Sequence, residues 1–447
     1  MIKIFFKKKA KREREREEKT TARAPPPKKS NDIIYPNGRL FLGRVSSGVG
    51  QQAIKKPNKL RFSPTRISKV KLIFSSTVSL EYNPGWNSSA VSLLHIQAVG
   101  LNDSIHYVWS TLGTPTVLLV YSGSAHSALR LNWTKLLSPS PSGAIWVEPV
   151  DSVLYSAAFV FTRVFEYSGA KTSDLSKVPP EDFYPTYDLS NFTWDGKLNR
   201  TALTATFRGV SADPGGTLRN GSVSFQVTAF EETSRDASLP HFLHTANSSK
   251  VDFVMRGVAN RGNHSRFALE MLMVEEGAKG KQLQSIRSID DEYTPTIFEM
   301  VQLVSGPDND SFGSSFIQWK TVAYSSQHAL REDTVHCQYY PLQAVNGTVS
   351  GPSIVHAYFT KELETQYSVS AINVSFGSED NESYQEKGYL SWSALIGFGE
   401  PPEDAFSPLV IAILAVALGT PAVLLVVGSI TVCVAQKRQY SEYEPIN

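Results

Sequence analysis

From Leu409 to Val434 the chain runs for 26 residues without a charged side chain, more than the roughly 20 apolar residues a helix needs to cross the hydrocarbon core of a bilayer. A soluble helix of this length keeps a polar face. This one has none, so residues 409–434 read as a transmembrane helix. Glu400, Glu403 and Asp404 precede the segment and Lys437 and Arg438 follow it. Because positive residues stay cytosolic, the expected topology is single-pass type I, with residues 76–407 luminal and 435–447 cytosolic. Pro421 falls mid-span and removes one helical hydrogen bond. Ala412, Ala415, Gly419 and Ala422 recur at spacings of three and four, which places small side chains on a face that a second membrane helix can approach closely. Cys433, near the cytosolic end, is a candidate for palmitoylation.

The residues before the span carry the second strong signal. Asn-x-Ser/Thr sequons occur at Asn87, Asn102, Asn132, Asn191, Asn199, Asn220, Asn247, Asn263, Asn309, Asn346, Asn373 and Asn381, that is, at 12 of the 18 asparagines. Chance would give roughly three or four, so the stretch reads as an N-glycosylated luminal region. Alternation supports outward placement for some of them. Leu129, Leu131 and Trp133 take one face of an expected strand and Asn132 the other. Ile372, Val374 and Phe376 alternate with Asn373 in the same way.

Charge is unevenly distributed. Residues 1–75 hold 21 Lys/Arg against 5 Asp/Glu, a balance of +16, while the rest of the chain holds −14. This leader includes the mixed-charge run Lys7–Lys19 and a Pro-rich stretch, with no core-forming pattern. It also lacks the apolar run of a signal peptide. We expect it to derive from a misassigned start or exon and to be absent from the mature protein. The two cysteines, Cys337 and Cys433, exclude a disulfide framework and a Cys-rich zinc module, and with Cys433 inside the span they are not expected to pair.

The luminal region is expected to be mainly β, as one or two antiparallel sandwiches. Val223–Thr228 and Leu203–Phe207 show period-two alternation rich in β-branched and aromatic residues. Val153–Phe165, Thr296–Val304, Phe316–Tyr324 and Ile354–Phe359 are further strand candidates, and turn clusters such as Asp213-Pro214-Gly215-Gly216 separate such runs. A weakly marked break falls near 231–242.

Motifs for catalysis or cofactor binding are missing: there is no GxSxG elbow, phosphate loop or HExxH. No cofactor or metal is expected. His241 and His244 lack an obvious third ligand and read as loop histidines. His336 and Cys337 are adjacent in sequence, which is not how a catalytic pair meets. Asp290, Asp291 and Glu292 form an acidic turn that leaves a hydrolase reading open. A nuclear regulator using the basic leader is the weaker rival, and no nucleic-acid partner is expected.

The tail contains Tyr443-Glu444-Pro445-Ile446, which has the Tyr-x-x-apolar form that clathrin adaptors read as a lysosomal sorting signal. Together with Leu93-Leu94-His95-Ile96, His106-Tyr107-Val108-Trp109-Ser110, Phe161-Thr162-Arg163, Ser288–Tyr293 and Tyr389–Ser393, these residues resemble the glycosylated lysosomal membrane protein family from about Val78 to Asn447. The resemblance implies a non-enzymatic role at the lysosomal membrane. The implied partner is a multi-pass dipeptide transporter of the major facilitator superfamily, stabilised and shielded from proteolysis. Mammalian members carry several luminal cysteines; here Cys337 stands alone, so any family disulfide is not expected.

Overall fold

Strands with one apolar face must bury it, and two sheets can do so by packing those faces together. The computed structural model takes this solution; it describes residues 77–87, 92–211, 221–276, 280–287, 299–306, 314–345, 349, 353–359, 367–377, 384, 387–403 and 408–441. Numbered along the chain, the first sheet has the order Thr77–Tyr82 (β1), Leu93–Val99 (β2), Ser104–Ser110 (β3), Thr116–Ser122 (β4), Val153–Ser168 (β7), Ser265–Glu276 (β15) and Tyr367–Phe376 (β22). The second runs Phe192–Asn199 (β9), Thr204–Ser211 (β10), Ser222–Ala229 (β11), Ser248–Arg256 (β14), Tyr389–Phe398 (β23), Ser315–Lys320 (β18), Glu299–Ser305 (β17) and Lys281–Arg287 (β16). All these pairings are antiparallel. Thr334–Tyr339 (β20) pairs with Val322–Tyr324 (β19) of the second sheet and with β22 of the first, so one strand ties the two layers together.

Smaller elements complete the fold: the hairpin Ala128–Leu131 (β5) and Ile145–Glu148 (β6), the pair Ser234–Arg235 (β12) and Leu243–His244 (β13), and the two-residue strands Tyr187–Asp188 (β8) and Gln343–Ala344 (β21). Helices are Trp133–Leu136 (α1), Val355–Tyr358 (α2) and Pro408–Ser441 (α3).

The interior between the sheets is aromatic. Phe207, Phe225, Phe253 and Trp392 of the second sheet meet Phe159, Phe161, Ile372 and Phe376 of the first. Phe161 lies 4.8 Å from Phe225 and Phe253 lies 6.2 Å from Phe376 between ring centroids, in tilted and stacked contacts across the layers.

Strand β7 explains why Val153–Phe165 reads as a near-continuous apolar run. Its register against β15 slips at Thr162, where Glu270 faces Arg163 but Met271 faces Phe161. An extra residue reverses the alternation. Tyr155, Ala157, Phe159 and Phe161 point inward before the bulge and Val164 after it, while Phe165 and Tyr167 turn to the outer face. The Thr162 hydroxyl fixes the bulge by donating to Glu270 Oε1 at 2.6 Å.

The outer face of the first sheet is covered twice. At one end α1, the β5–β6 hairpin and α2 pack Trp133, Ile145, Val147 and Val355 over Val108, Leu118, Val160 and Leu272. At the other, Leu175 and Val178 pack over Phe165, Tyr167 and Ala268.

Several strand expectations are corrected. The alternation over Leu129–Thr134 stops at Leu131, because Asn132 becomes the N-cap of α1 and its Oδ1 accepts the Lys135 N–H at 3.0 Å. Ile354–Phe359 contains α2 rather than a strand. Lying over a sheet face it has no free edge to pair with, and one helical turn satisfies its backbone internally, as with Tyr358 N–H to Ile354 O at 3.1 Å. Phe316–Tyr324 divides at Thr321 into β18 and β19, which pair with β23 one after the other. Of Thr296–Val304 the strand begins at Glu299, and residues 296–298 lie outside the described residues.

Phe253 is fully buried at the middle of β14. Phe253→Ala is expected to lower stability by about 3–5 kcal/mol, the usual cost of truncating a core aromatic. Urea unfolding followed by tryptophan fluorescence checks this, and a loss under about 1 kcal/mol would contradict the assigned core.

Candidate functional surfaces

Eight sequon asparagines fall on described residues. Asn87, Asn102, Asn132, Asn191, Asn199 and Asn263 are exposed, whereas Asn247 and Asn373 are half-buried. Asn220, Asn309, Asn346 and Asn381 lie outside the described residues. Asn199, like Asn132, uses its side-chain oxygen locally, accepting the Ala202 N–H at 3.1 Å. Both leave the amide nitrogen, the atom a glycan would occupy, free of that bond. Asn373 differs from the simple alternation picture. It faces outward from β22 opposite Glu270, which Arg163 holds at 2.8 Å, but its Oδ1 is buried and takes no hydrogen bond from the described residues. Alternation fixes which way a side chain leaves a sheet, not what lies over it.

Helix α3 continues unbroken through Pro421, and its Ile411–Arg438 portion is long and apolar enough to cross a membrane. Its apolar side chains are exposed all round. Ala412, Ala415, Gly419 and Ala422 occur along it, and a Cβ added at Gly419 would meet nothing within 4 Å. Tyr443, Glu444, Pro445 and Ile446 lie outside the described residues, as do Asp290, Asp291 and Glu292.

The second sheet treats its outer face differently from the first. Alternation that buries Phe207, Phe225, Phe253 and Trp392 sends Thr206, Arg208, Ser224, Gln226, Asp252 and Ser391 outward. These form rows across the strands, since Thr206 pairs with Gln226, Gln226 with Asp252, and Asp252 with Ser393. Two segments wall the face: the stretch around β12–β13, and the turn 324–331 after β19. Between them is an open cavity of about 1020 Å³.

Each wall is tied to the floor. Lys250 on β14 reaches Asp236 at 3.0 Å and Asp252 at 3.8 Å, and Ser393 donates to Asp252 at 2.6 Å. Burial works against the Lys250 charge, but the two carboxylates outweigh it and hold its pKa above the ordinary value. Burial instead dominates at Asp252 and raises its pKa. On the other side Arg256 donates to Gln327 at 2.7 Å and lies 5.5 Å over the Tyr389 ring. Leu239 of one wall packs with Tyr324 and Ala329 of the other.

The histidines singled out in the sequence are placed separately. His241 adopts φ +48° and its Nδ1 bonds the Asp236 carbonyl at 2.8 Å, while His244 stacks on Phe230. His336 is exposed and Cys337 is buried in the interior, on opposite faces of β20.

Sequence reading missed a buried polar chain on the outer face of β2 and β3. Ser127 Oγ lies 2.7 Å from His106 Nε2, and His106 Nδ1 lies 2.9 Å from His95 Nε2. The order matches a nucleophile, base and orienter. Yet all three are buried, Ser127 shares its hydroxyl with Ser104, and Ser104 also donates to the Ser124 carbonyl. The cluster therefore locks the 123–127 loop onto the sheet. Its available signal was hairpin register, which brings His95 and His106 to one face of adjacent strands.

Burial, with His106 as a second cause, lowers the His95 pKa to about 3, and burial lowers that of His106 to about 4. The unfolded chain takes up protons at these rings near pH 6.5, while the folded chain refuses them until about pH 4 and below. Their contribution to stability is thus fully present above pH 6.5 and is lost as pH falls toward 3. A His95→Gln/His106→Gln variant is expected to be less stable at pH 7 but to lose less on acidification from pH 6.5 to 4. Urea midpoints across that range check it; parallel pH profiles would refute the assignment.

Residues 92–439 match the family profile described as glycosylated lysosomal membrane protein. The chain is 50% identical over 378 residues to glycosylated lysosomal membrane protein A of Xenopus laevis, spanning 83% of this chain and 93% of that protein. It is 42% identical over 375 residues to glycosylated lysosomal membrane protein of Homo sapiens, with 83% and 90% covered, and 40% identical over 385 residues to that of Danio rerio, with 84% and 93% covered. By the extent of these matches, the chain belongs to the glycosylated lysosomal membrane protein family.

Proposed function

We propose that this chain is a non-enzymatic accessory subunit of a multi-pass transporter in the lysosomal membrane. The observation that carries the reading is the combination of an apolar helix exposed on every side with a β domain that presents six exposed sequon asparagines. A helix of that kind is at home in lipid and has one surface of small residues for another helix. The relatives' names supply the lysosomal membrane. The flanking charges support a luminal β domain and a cytosolic C-terminus.

In this reading the Ala412, Ala415, Gly419 and Ala422 face docks on the transporter, a dipeptide exporter of the major facilitator superfamily as the family resemblance implies. Glycans on the luminal surface keep proteases from the exposed loops of both proteins. Tyr443 and Ile446 engage a clathrin adaptor and direct the pair to lysosomes.

Filling the small-residue face separates docking from folding, because the β domain does not depend on it. Ala415→Leu/Gly419→Leu is expected to reduce recovery of the multi-pass partner by roughly tenfold, equivalent to about 1.4 kcal/mol of helix packing, while leaving the chain's own abundance unchanged. Quantitative mass spectrometry of affinity-purified lysosomal membranes reads both. In cells lacking the chain, transporter abundance is expected to fall; an undiminished transporter would defeat the protective role.

A further inference from the structure

We propose that the groove on the outer face of the second sheet binds an acidic saccharide, a sugar ring bearing a carboxylate, sulfate or phosphate. Hydrogen-bond donors dominate its lining. Arg208 and Arg331 are exposed, and neither guanidinium makes a hydrogen bond or ion pair with any described residue. Arg256, which also donates to Gln327, adds a third cation, whereas the buried Lys250 is already matched by Asp236 and Asp252. Against these stands the Asp252 carboxylate, already engaged by Lys250 and Ser393.

An independent sign of a missing acceptor comes from Tyr324. This residue lines the cavity and is 3% exposed, yet its buried hydroxyl has no hydrogen-bond partner among the described residues. Burial raises its pKa, so it remains a phenol and a donor. A buried donor without a partner costs stability, and a ligand oxygen would relieve that cost.

The floor selects the kind of anion. Thr206, Ser224, Gln226 and Ser391 offer short hydroxyls and an amide, suited to the alternating donors and acceptors of sugar hydroxyls. The volume of about 1020 Å³ matches the upper end of ligand sites, roughly 300–1,000 Å³. An acidic peptide fits less well. The groove crosses a sheet face whose backbone groups are consumed by the β10–β11–β14–β23 pairings, so a peptide finds no edge to extend.

The test uses full-length protein in detergent micelles, its own glycans trimmed enzymatically so that they cannot compete. Calorimetric titrations compare sialyllactose, a sulfated disaccharide and mannose 6-phosphate with lactose as the neutral control, which separates the three sources of negative charge. At least one acidic sugar is expected to bind at least tenfold more tightly than lactose. Arg208→Ala and Arg331→Ala are each expected to weaken it about tenfold, as loss of a charge-assisted bond does. Tyr324→Phe is expected to weaken binding severalfold without lowering the melting temperature of the free protein, because the hydroxyl it removes has no partner there. Equal affinity for lactose, affinity that survives both arginine substitutions, or binding of hexaglutamate in preference to every acidic sugar would each overturn the proposal.

Discussion

Two sheets share one aromatic interior, and every other surface of the domain is defined by what that burial leaves over. Each buried phenylalanine contributes about 1.5–3 kcal/mol relative to exposure, so the inward positions of β7, β10, β11, β14, β15, β22 and β23 are committed to packing. The charges that lie at the borders of this interior are tolerated because they are surrounded. Glu166 accepts from Tyr187 at 2.8 Å, from the Arg261 N–H at 2.7 Å and from Ser265 at 2.7 Å. Glu275 is reached by Lys281 at 3.2 Å, Tyr155 at 3.2 Å and Ser305. An unpartnered carboxylate in either place would cost several kcal/mol. Because Ser305 belongs to one sheet and Tyr155 to the other, Glu275 also joins the layers through polar contacts.

The outer faces diverge in a way that assigns them different work. On the first sheet apolar side chains point out as well as in, and the chain must fold α1, α2, the β5–β6 hairpin and the 175–183 segment over them. On the second, most outward residues of β10, β11 and β14 and the Ser391 end of β23 are polar and stay open, while Leu395 farther along β23 is covered by Phe230. Its walls stand at the sides of the face and are held there by ion pairs and hydrogen bonds to the floor, which leaves a concave surface open to solvent.

Much of this architecture was legible in the chain. Period-two runs such as Val223–Thr228 and Leu203–Phe207 led directly to β11 and β10, and the uncharged run from Leu409 led to α3. Where reading failed, a local interaction overrode the pattern. Asn132 stopped a strand by capping a helix, and residues 354–359 turned helical because they lie over a sheet rather than beside one. The His95–His106 contact and the groove were less legible, since both require knowing which strands become neighbours. Thr206 and Ser393 are 187 positions apart in the chain and share one row only after β10, β11, β14 and β23 align.

The double use of Asn132 bears on how glycan removal should be interpreted at this position. Its nitrogen is the atom a sequon glycan would occupy, while its oxygen caps the N-terminus of α1, the helix that seats Trp133 over the first sheet. Glutamine, the customary replacement for abolishing a glycan, is one methylene too long to reproduce the cap. Asn132→Gln would therefore loosen the roof over β3 and β4 in addition to removing any sugar held there. Aspartate keeps the capping oxygen while destroying the acceptor nitrogen, and serine at Thr134 would preserve both; the same distinction holds for Asn199, whose oxygen closes the turn into β10.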